Sequence, residues 1–278
     1  MSGDPTFIQR LWGLRRPRRL ASVVLRRIGL SRFFTIHTSG IRLRFFPAVW
    51  CNILWETPDY FRRDTGLLRR YLRPGDTVVD CGANVGLLTL VSASIVGNTG
   101  AVYAIEAHPR LARYLRSNVA FNDATNVTIF HNAVGDTEGT IAFSDRITDD
   151  SNHILPGGEG IAVTMKPLDA LIPAGTPVRL LKLDVEGYEK FALDGARALL
   201  PTVEAIYFES SDQLFARYGY ACSDVYDLLR AAGFLIFRFG EEPRLERLPD
   251  DYESREIENL IALRDAERFA LDTGYEIV

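Results

Sequence analysis

Residues 78–86 read VVDCGANVG. A short apolar run, TVVDCG (77–82), ends in glycine, and NVGLLTLVSASIV (84–96) follows with the length and apolar content of a helix. The segment is a strand that turns sharply into a helix. Gly82 permits the turn and lets a ligand approach the backbone. Gly86 lets the first helical turn pack closely, and the helix N-terminus offers N–H groups with no helical partner. A dinucleotide site would place G-x-G-x-x-G here, so that backbone meets a pyrophosphate. This chain has Gly82–x–Asn84–x–Gly86, with Asp80 two residues before the first glycine. A carboxylate in that crevice repels a pyrophosphate and attracts an ammonium group.

Outward from this turn the pattern alternates. AVYAIEA (101–107) reads as a strand and PRLARYLRSNVAFN (109–122) as a helix with Pro109 in its first turn. VTIFHNAVG (127–135) reads as a third strand with His131 inside it. TIAFS (140–144) and IAVTM (161–165) are short extra strands around a Gly-rich loop, 145–160. VRLLKLDV (178–185) is the fourth main strand, followed by a helix over 188–200. VEAIYFES (203–210) is the fifth strand, SDVYDLLRAAG (223–233) a helix, FLIFRFG (234–240) a sixth strand and NLIALR (259–264) a seventh. Strand–helix alternation predicts an α/β domain with a mostly parallel seven-stranded sheet covered on both faces. Ligands of such sheets sit beyond the carboxyl ends of the strands. Asp80, Glu106, Asp184 and Glu209 all fall at such ends.

Glu106 lies about 20 residues after the glycines, where an acid accepts hydrogen bonds from ribose hydroxyls. An ammonium group at one end and a ribose at the other describe S-adenosylmethionine well and NAD poorly. Four stretches carry a family resemblance: GDTVVDCGANVGLLTL (75–90), YAIEAHP (103–109), FHNAVGD (130–136) and LLKLDVEGYE (180–189). In that order and spacing the chain resembles an FkbM-type S-adenosylmethionine-dependent methyltransferase over about residues 56–240. The resemblance implies a Rossmann-like class I methyltransferase fold. It implies that Asp80, Gly82, Ala83, Asn84 and Gly86 hold the methionine part of the cofactor. Glu106, with Ala107 beside it, would hold the ribose, and Asn132, Ala133 and Val134 would line the adenine pocket. It also implies O-methylation of a sugar, glycolipid or natural-product hydroxyl.

Methyl transfer to a hydroxyl needs the acceptor's proton removed, by a general base or with help from a metal. Asp184 and Glu186 fit a base best, because the fourth strand should adjoin the first. His153, in the loop that could cover the site, is an alternative base, and a substrate contact there could be shared by His153 and Asn152. The bland readings are an Asp184–Lys182 ion pair and a helix-dipole role for Glu186 and Glu189. Asp184 and Glu186 alone make a poor metal site; Glu209 or a substrate oxygen would have to complete it.

The 278-residue chain has a net charge of −4, unevenly placed. Residues 1–73 hold 15 Arg against four acids, and the remainder holds 17 Lys and Arg against 32 acids. A basic extension, 1–55, thus precedes a methyltransferase domain, 56–278. Two amphipathic helices over 7–30 and a hairpin over 33–46 are expected in the extension. Packing on the acidic domain is one role for it, and peripheral membrane contact through 7–34 is another. The acidic core argues against a nucleic-acid acceptor, since such a groove needs positive charge. A non-catalytic binding protein and an RNA methyltransferase remain the competing readings. Three cysteines, Cys51, Cys81 and Cys222, argue against a disulfide framework. With no apolar run of ~18 residues and no secretory leader, a cytoplasmic setting is expected. Nothing in the pattern fixes the oligomeric state.

Overall fold

The computed structural model describes residues 22–25, 27, 29–146 and 151–278. Most of the amphipathic segment 7–30 lies outside the described residues. After a 3-10 turn at Ser31–Phe33 comes a hairpin: β1 (Thr35–Thr38) and β2 (Ile41–Arg44) pair antiparallel across Ser39 and Gly40, both left-handed, as a two-residue hairpin turn requires. Two helices follow, α1 (Val49–Glu56) and α2 (Arg62–Tyr71). The alternating core then begins with β3 (Thr77–Cys81), α3 (Leu87–Val96), β4 (Ala101–Ile105), α4 (Pro109–Phe121) and β5 (Val127–Phe130). A three-stranded side sheet comes next, from β6 (Ala133–Val134), β7 (Gly139–Phe143) and β8 (Ile161–Lys166), in the order β6-β8-β7. After a single turn, α5 (Leu168–Leu171), the core resumes with β9 (Val178–Leu183), α6 (Glu189–Asp194) and β10 (Val203–Ser210). The chain closes with α7 (Asp212–Ala216), α8 (Cys222–Ala231), β11 (Leu235–Phe239), β12 (Arg244–Arg247), β13 (Glu258–Leu263), α9 (Ala266–Thr273) and β14 (Glu276–Ile277).

The main sheet has nine strands in the order β14-β12-β11-β13-β10-β9-β3-β4-β5. From β10 to β5 neighbours run parallel; β13 is antiparallel to both β10 and β11. The sequence pattern predicts only seven strands. The extra two, β12 and β14, form the edge beyond β11, where charge and Pro243 mask the strand pattern. Side chains alternate between two cores, as strand geometry demands. Val78 and Leu180 face one core with α2, α3, α4 and the hairpin, and Val79, Cys81, Leu181 and Leu183 face the other with α6 and α8.

Two further expectations are corrected. The third strand stops at Phe130: His131 is exposed beyond it, its Nε2 3.1 Å from the Ala107 carbonyl, and residues 133–134 join the side sheet. The helix expected over 188–200 runs only to Asp194. Gly195 follows as its C-cap, packed so closely on Gly135 that a Cβ there would overlap the Gly135 carbonyl oxygen. The helix α1 has no counterpart among the predicted elements. It and the hairpin share a core with β3, with Leu43, Phe45 and Leu54 fully buried. Asn118 of α4 and Asn122, just after it, accept the Arg44 and Arg42 N–H groups of β2 at 2.9 and 3.0 Å.

Candidate active site

The ends of β3, β4 and β9 open on one cavity. It is lined from the first two strands by Asp80, Gly82, Ala83, Asn84, Glu106 and Ala107, and from the third by Lys182, Asp184 and Glu186. Asn132, Ala133 and Val134 line it from the β5–β6 segment. The strand order therefore brings together nearly all of the residues singled out in the sequence. Gly86, His153 and Glu209 are the ones outside the lining. Gly86 packs against α4, where a Cβ would come within 2.6 Å of Leu115 Cδ1. His153 is buried away from the cavity, its Nδ1 2.9 Å from the Ser151 carbonyl, and burial lowers its pKa. Its neighbours Asn152 and Ile154 point into the cavity instead.

The turn after β3 is closed on itself. Gly82 and Ala83 N–H both donate to the Ile105 carbonyl at 3.0 Å. Asn84 N–H donates to Glu106 Oε2 at 2.7 Å, Val85 N–H to Asn84 Oδ1 at 2.8 Å and Gly86 N–H to the Ala83 carbonyl at 2.9 Å. The N–H donors of residues 82–86 are thus already engaged, and no nest remains for a pyrophosphate. Gly82 itself has φ +77, and a Cβ there would overlap the Asp184 carbonyl oxygen. Asn84 also sits left-handed, at φ 52, a conformation that asparagine tolerates.

Glu106 is 6 % exposed and also accepts from His108 N–H at 2.8 Å. Burial pushes its carboxyl up to about 7, against the two N–H bonds, which favour the ionised form. Each oxygen keeps a free lone pair, which is what a pair of ribose hydroxyls requires.

The parallel register pairs Asp80 with Lys182, so both side chains project from one face of adjacent strands. Lys182 is 7 % exposed. Its Nζ lies 3.3 Å from Asp80 Oδ1 and 3.3 Å from Asp184 Oδ2, and 3.2 Å from the Cys81 and Gly82 carbonyls. Burial alone would lower the lysine, but Asp184 and Asp80 outweigh it and hold it above its usual value. Thr89 Oγ1 donates to the other oxygen of Asp80. Asp80 is thus paired with Lys182 and Thr89 before any ligand arrives. Two carboxylates share one cation, leaving a single net negative charge, which still suits a cationic ligand end.

Beyond Asp184 the chain turns through Glu186 (φ 58) and Gly187 (φ 95). A Cβ on Gly187 would lie 2.7 Å from the Leu214 carbonyl, so the turn needs glycine. Carboxylate oxygens of Asp184, Glu186 and Glu209 lie within 4.8 Å of one another. Burial first, then Asp184 and Glu186, push Glu209 up to about 9. Glu189 is fully buried; its Oε1 accepts from Val185 N–H at 2.9 Å, and burial raises it well above its usual value. The same burial and crowding work against the ionised carboxylates that a divalent cation needs.

The sequence missed an aromatic and apolar part of the lining: Trp50, Leu54 and Phe61 before β3, Phe143 and Ile154 from the side-sheet region, and Tyr188. Trp50 and Leu54 stand at i, i+4 on α1, a signal present in VWCNILWE but too short to stand out.

A closed glycine turn, a buried acid beyond β4 and a lysine shared by two carboxylates fit an S-adenosylmethionine-dependent methyltransferase. The description "Methyltransferase FkbM domain" matches residues 80–236. That is more than half of the chain, and the chain belongs to this family. An arsenite methyltransferase of Halobacterium salinarum is 31% identical over 108 residues, 34% of this chain and 28% of the relative. The chain thus spans little more than a quarter of that curated relative. Among solved structures, methyltransferase FkbM of Methylobacillus flagellatus is 18% identical, with TM-score 0.45, over 77% of this chain and 52% of that one. A putative methyltransferase of Streptococcus mutans, SMU.1697c in complex with SAH, is 10% identical, with TM-score 0.44, over 73% and 96%. A putative rRNA-methylase of Clostridium thermocellum is 14% identical, with TM-score 0.46, over 74% and 96%.

Proposed function

We propose that the protein methylates a hydroxyl of a small or lipid-linked acceptor, a sugar or natural-product scaffold, with Asp184 as the proton-accepting group. One observation carries the reading. Asp184 and Glu186 line the cofactor cavity, and Glu209 closes a carboxylate cluster with them within 4.8 Å. A hydroxyl must shed its proton there, and a carboxylate held by Lys182 receives it. Such a rim repels a phosphate backbone, which favours this acceptor class over RNA.

Bound S-adenosylmethionine supplies a methyl group already activated for displacement. The protein's own part is placement. Asp80 and Asp184, sharing Lys182, meet the cationic end; Glu106 meets the ribose; Ala133 and Val134 give an apolar wall for the base. A surface groove adjoins the cavity. Ile154 and Tyr188 line both the cavity and that groove, whose walls include Phe191, Tyr218 and Arg217. Aromatic faces of this kind suit a glycosyl ring. No described helix is long and apolar enough to cross a membrane. Val23, Val24, Leu30, Phe33 and Phe34 are exposed near Arg27 and Arg32, which supports peripheral contact with a lipid surface bearing the acceptor.

The test is a methyl-transfer screen over hydroxylated acceptors, read by mass gain, repeated with Asp184→Asn. The variant should bind S-adenosylhomocysteine normally and turn over about 10²–10⁴-fold more slowly. Normal turnover removes Asp184 as the base.

A further inference from the structure

Asn152 sits in the cavity wall with a hydrogen-bond capacity that the protein leaves half used. It is 6 % exposed. Its Oδ1 accepts from Arg146 N–H at 2.8 Å and from Ser144 Oγ at 2.9 Å. The first partner is a backbone N–H, which can only donate. The second hydroxyl accepts from His153 N–H at 3.0 Å and so turns its own hydrogen toward Asn152. Both partners require an oxygen, and the orientation of the amide is thereby fixed. Its Nδ2 is buried and has no hydrogen-bond partner among the described residues. Burying an amide N–H without an acceptor is unfavourable, so a built-in, oriented donor of this kind marks a place for a ligand acceptor.

The neighbours of Asn152 say which part of the ligand that is. Asp145, between the two residues that hold Oδ1, lies 3.1 Å from His108 Nε2, and His108 follows two residues after Glu106. Phe143, which also lines the cavity, stands with its ring edge-on to His108, centroids 6.3 Å apart. Asn152 is therefore on the Glu106 side of the cavity, beyond the ribose acid. What lies there in a bound nucleoside is its base, and a purine offers ring nitrogens as acceptors.

We propose that Asn152 reads the base of the bound cofactor, its Nδ2 donating to a ring nitrogen of adenine. This rests on the S-adenosylmethionine reading and adds a specificity residue to it. Asn152 reaches the base from the segment that joins the side sheet, not from the strand ends that supply the other cofactor contacts. The side sheet thus takes part in cofactor recognition, and its position is sensed through one amide.

The test is calorimetry with S-adenosylhomocysteine and three analogues in which N1, N3 or N7 of the base is replaced by C–H. Asn152→Asp keeps an oxygen for Arg146 and Ser144 and exchanges the donor for a second acceptor. It should leave the ligand-free melting temperature in place and weaken S-adenosylhomocysteine binding about tenfold or more at pH 8. One analogue should lose about tenfold on the native protein and lose little further on Asn152→Asp. Undiminished binding by the variant overturns the proposal. So does a native protein that binds all three analogues as well as the parent ligand, a result that needs no variant to fold. A native protein that binds no S-adenosylhomocysteine defeats the cofactor reading itself, a different and separable outcome.

Discussion

β3 and β9 lie side by side in register, with Asp80 near the end of one, Asp184 just after the other, and a glycine turn following each. The two ends are finished differently. After β3 the backbone donors bond to Ile105, Glu106 and the loop's own atoms, and Glu106 is held by two N–H groups. After β9 the acids are crowded: oxygens of Asp184, Glu186 and Glu209 lie within 4.8 Å of one another, and Glu189 Oε2 and Glu209 Oε2 are buried with no hydrogen-bond partner among the described residues, as is Asp80 Oδ1 in β3. A satisfied loop is rigid before the ligand arrives, and rigidity is what cofactor positioning needs. Burial and crowding raise Glu189 and Glu209, and such perturbed groups gather where chemistry is done. Lys182 belongs to both ends, since one ammonium group serves Asp80 and Asp184 together.

The sharpest way to break this contrast is at the glycines. Gly82→Ala drives a Cβ into the Asp184 carbonyl, backbone against backbone, with φ +77 adding strain. It should destabilise by more than ~4 kcal/mol and leave little folded protein in a urea titration. Gly187→Ala meets the Leu214 carbonyl at 2.7 Å, so a smaller shift relieves it and the loss should be less. A reversed ranking would mean that the β9 end, not the β3 end, is the stiffer. The next test removes the shared cation. Lys182→Met leaves Asp80 and Asp184 facing each other without it, and breaking a buried pair this way costs about 3–5 kcal/mol. Lowering the pH should recover part of that loss as a carboxylate protonates. Stability that does not improve in acid would show that the lysine acts through packing alone.

The sequence makes one of these two ends far more legible than the other. VVDCGANVG announces a strand, a glycine turn and a helix in nine residues, and Glu106 follows about 20 residues on, in the same cavity wall. Each signal is local, so a short stretch of chain suffices to draw this end. The pairing of Asp80 with Lys182 is not local, because it depends on the register of strands about a hundred residues apart. Chemistry favours His153 over Asn152 as a site residue, yet alternation along a short segment turns the histidine away and the asparagine in. α1 is hidden because eight residues with Trp50 and Trp55 read equally well as a strand or a helix. β12 and β14 are hidden because edge strands carry charge and proline, which is how loops also look.

The smallest effect concerns Glu106, and it tests whether the closed end is truly complete without ligand. Burial holds this carboxyl at about 7, above its ordinary 4.5. The folded protein therefore binds an extra proton between those values. The stability this group contributes is fully present below about 4.5 and is lost as pH rises through about 7. Ribose hydroxyls donate to the ionised form, so ligand binding should expel the proton. Affinity for S-adenosylhomocysteine should then rise about tenfold between roughly pH 6 and 8, with proton release visible in buffers of different ionisation enthalpy. Glu106→Gln should bind more weakly at the upper end and show a flat profile. If the native profile is itself flat, the acid is either ionised throughout or not the ribose partner. The glutamine variant separates those two cases, because only the loss of a true ribose partner weakens binding at pH 8.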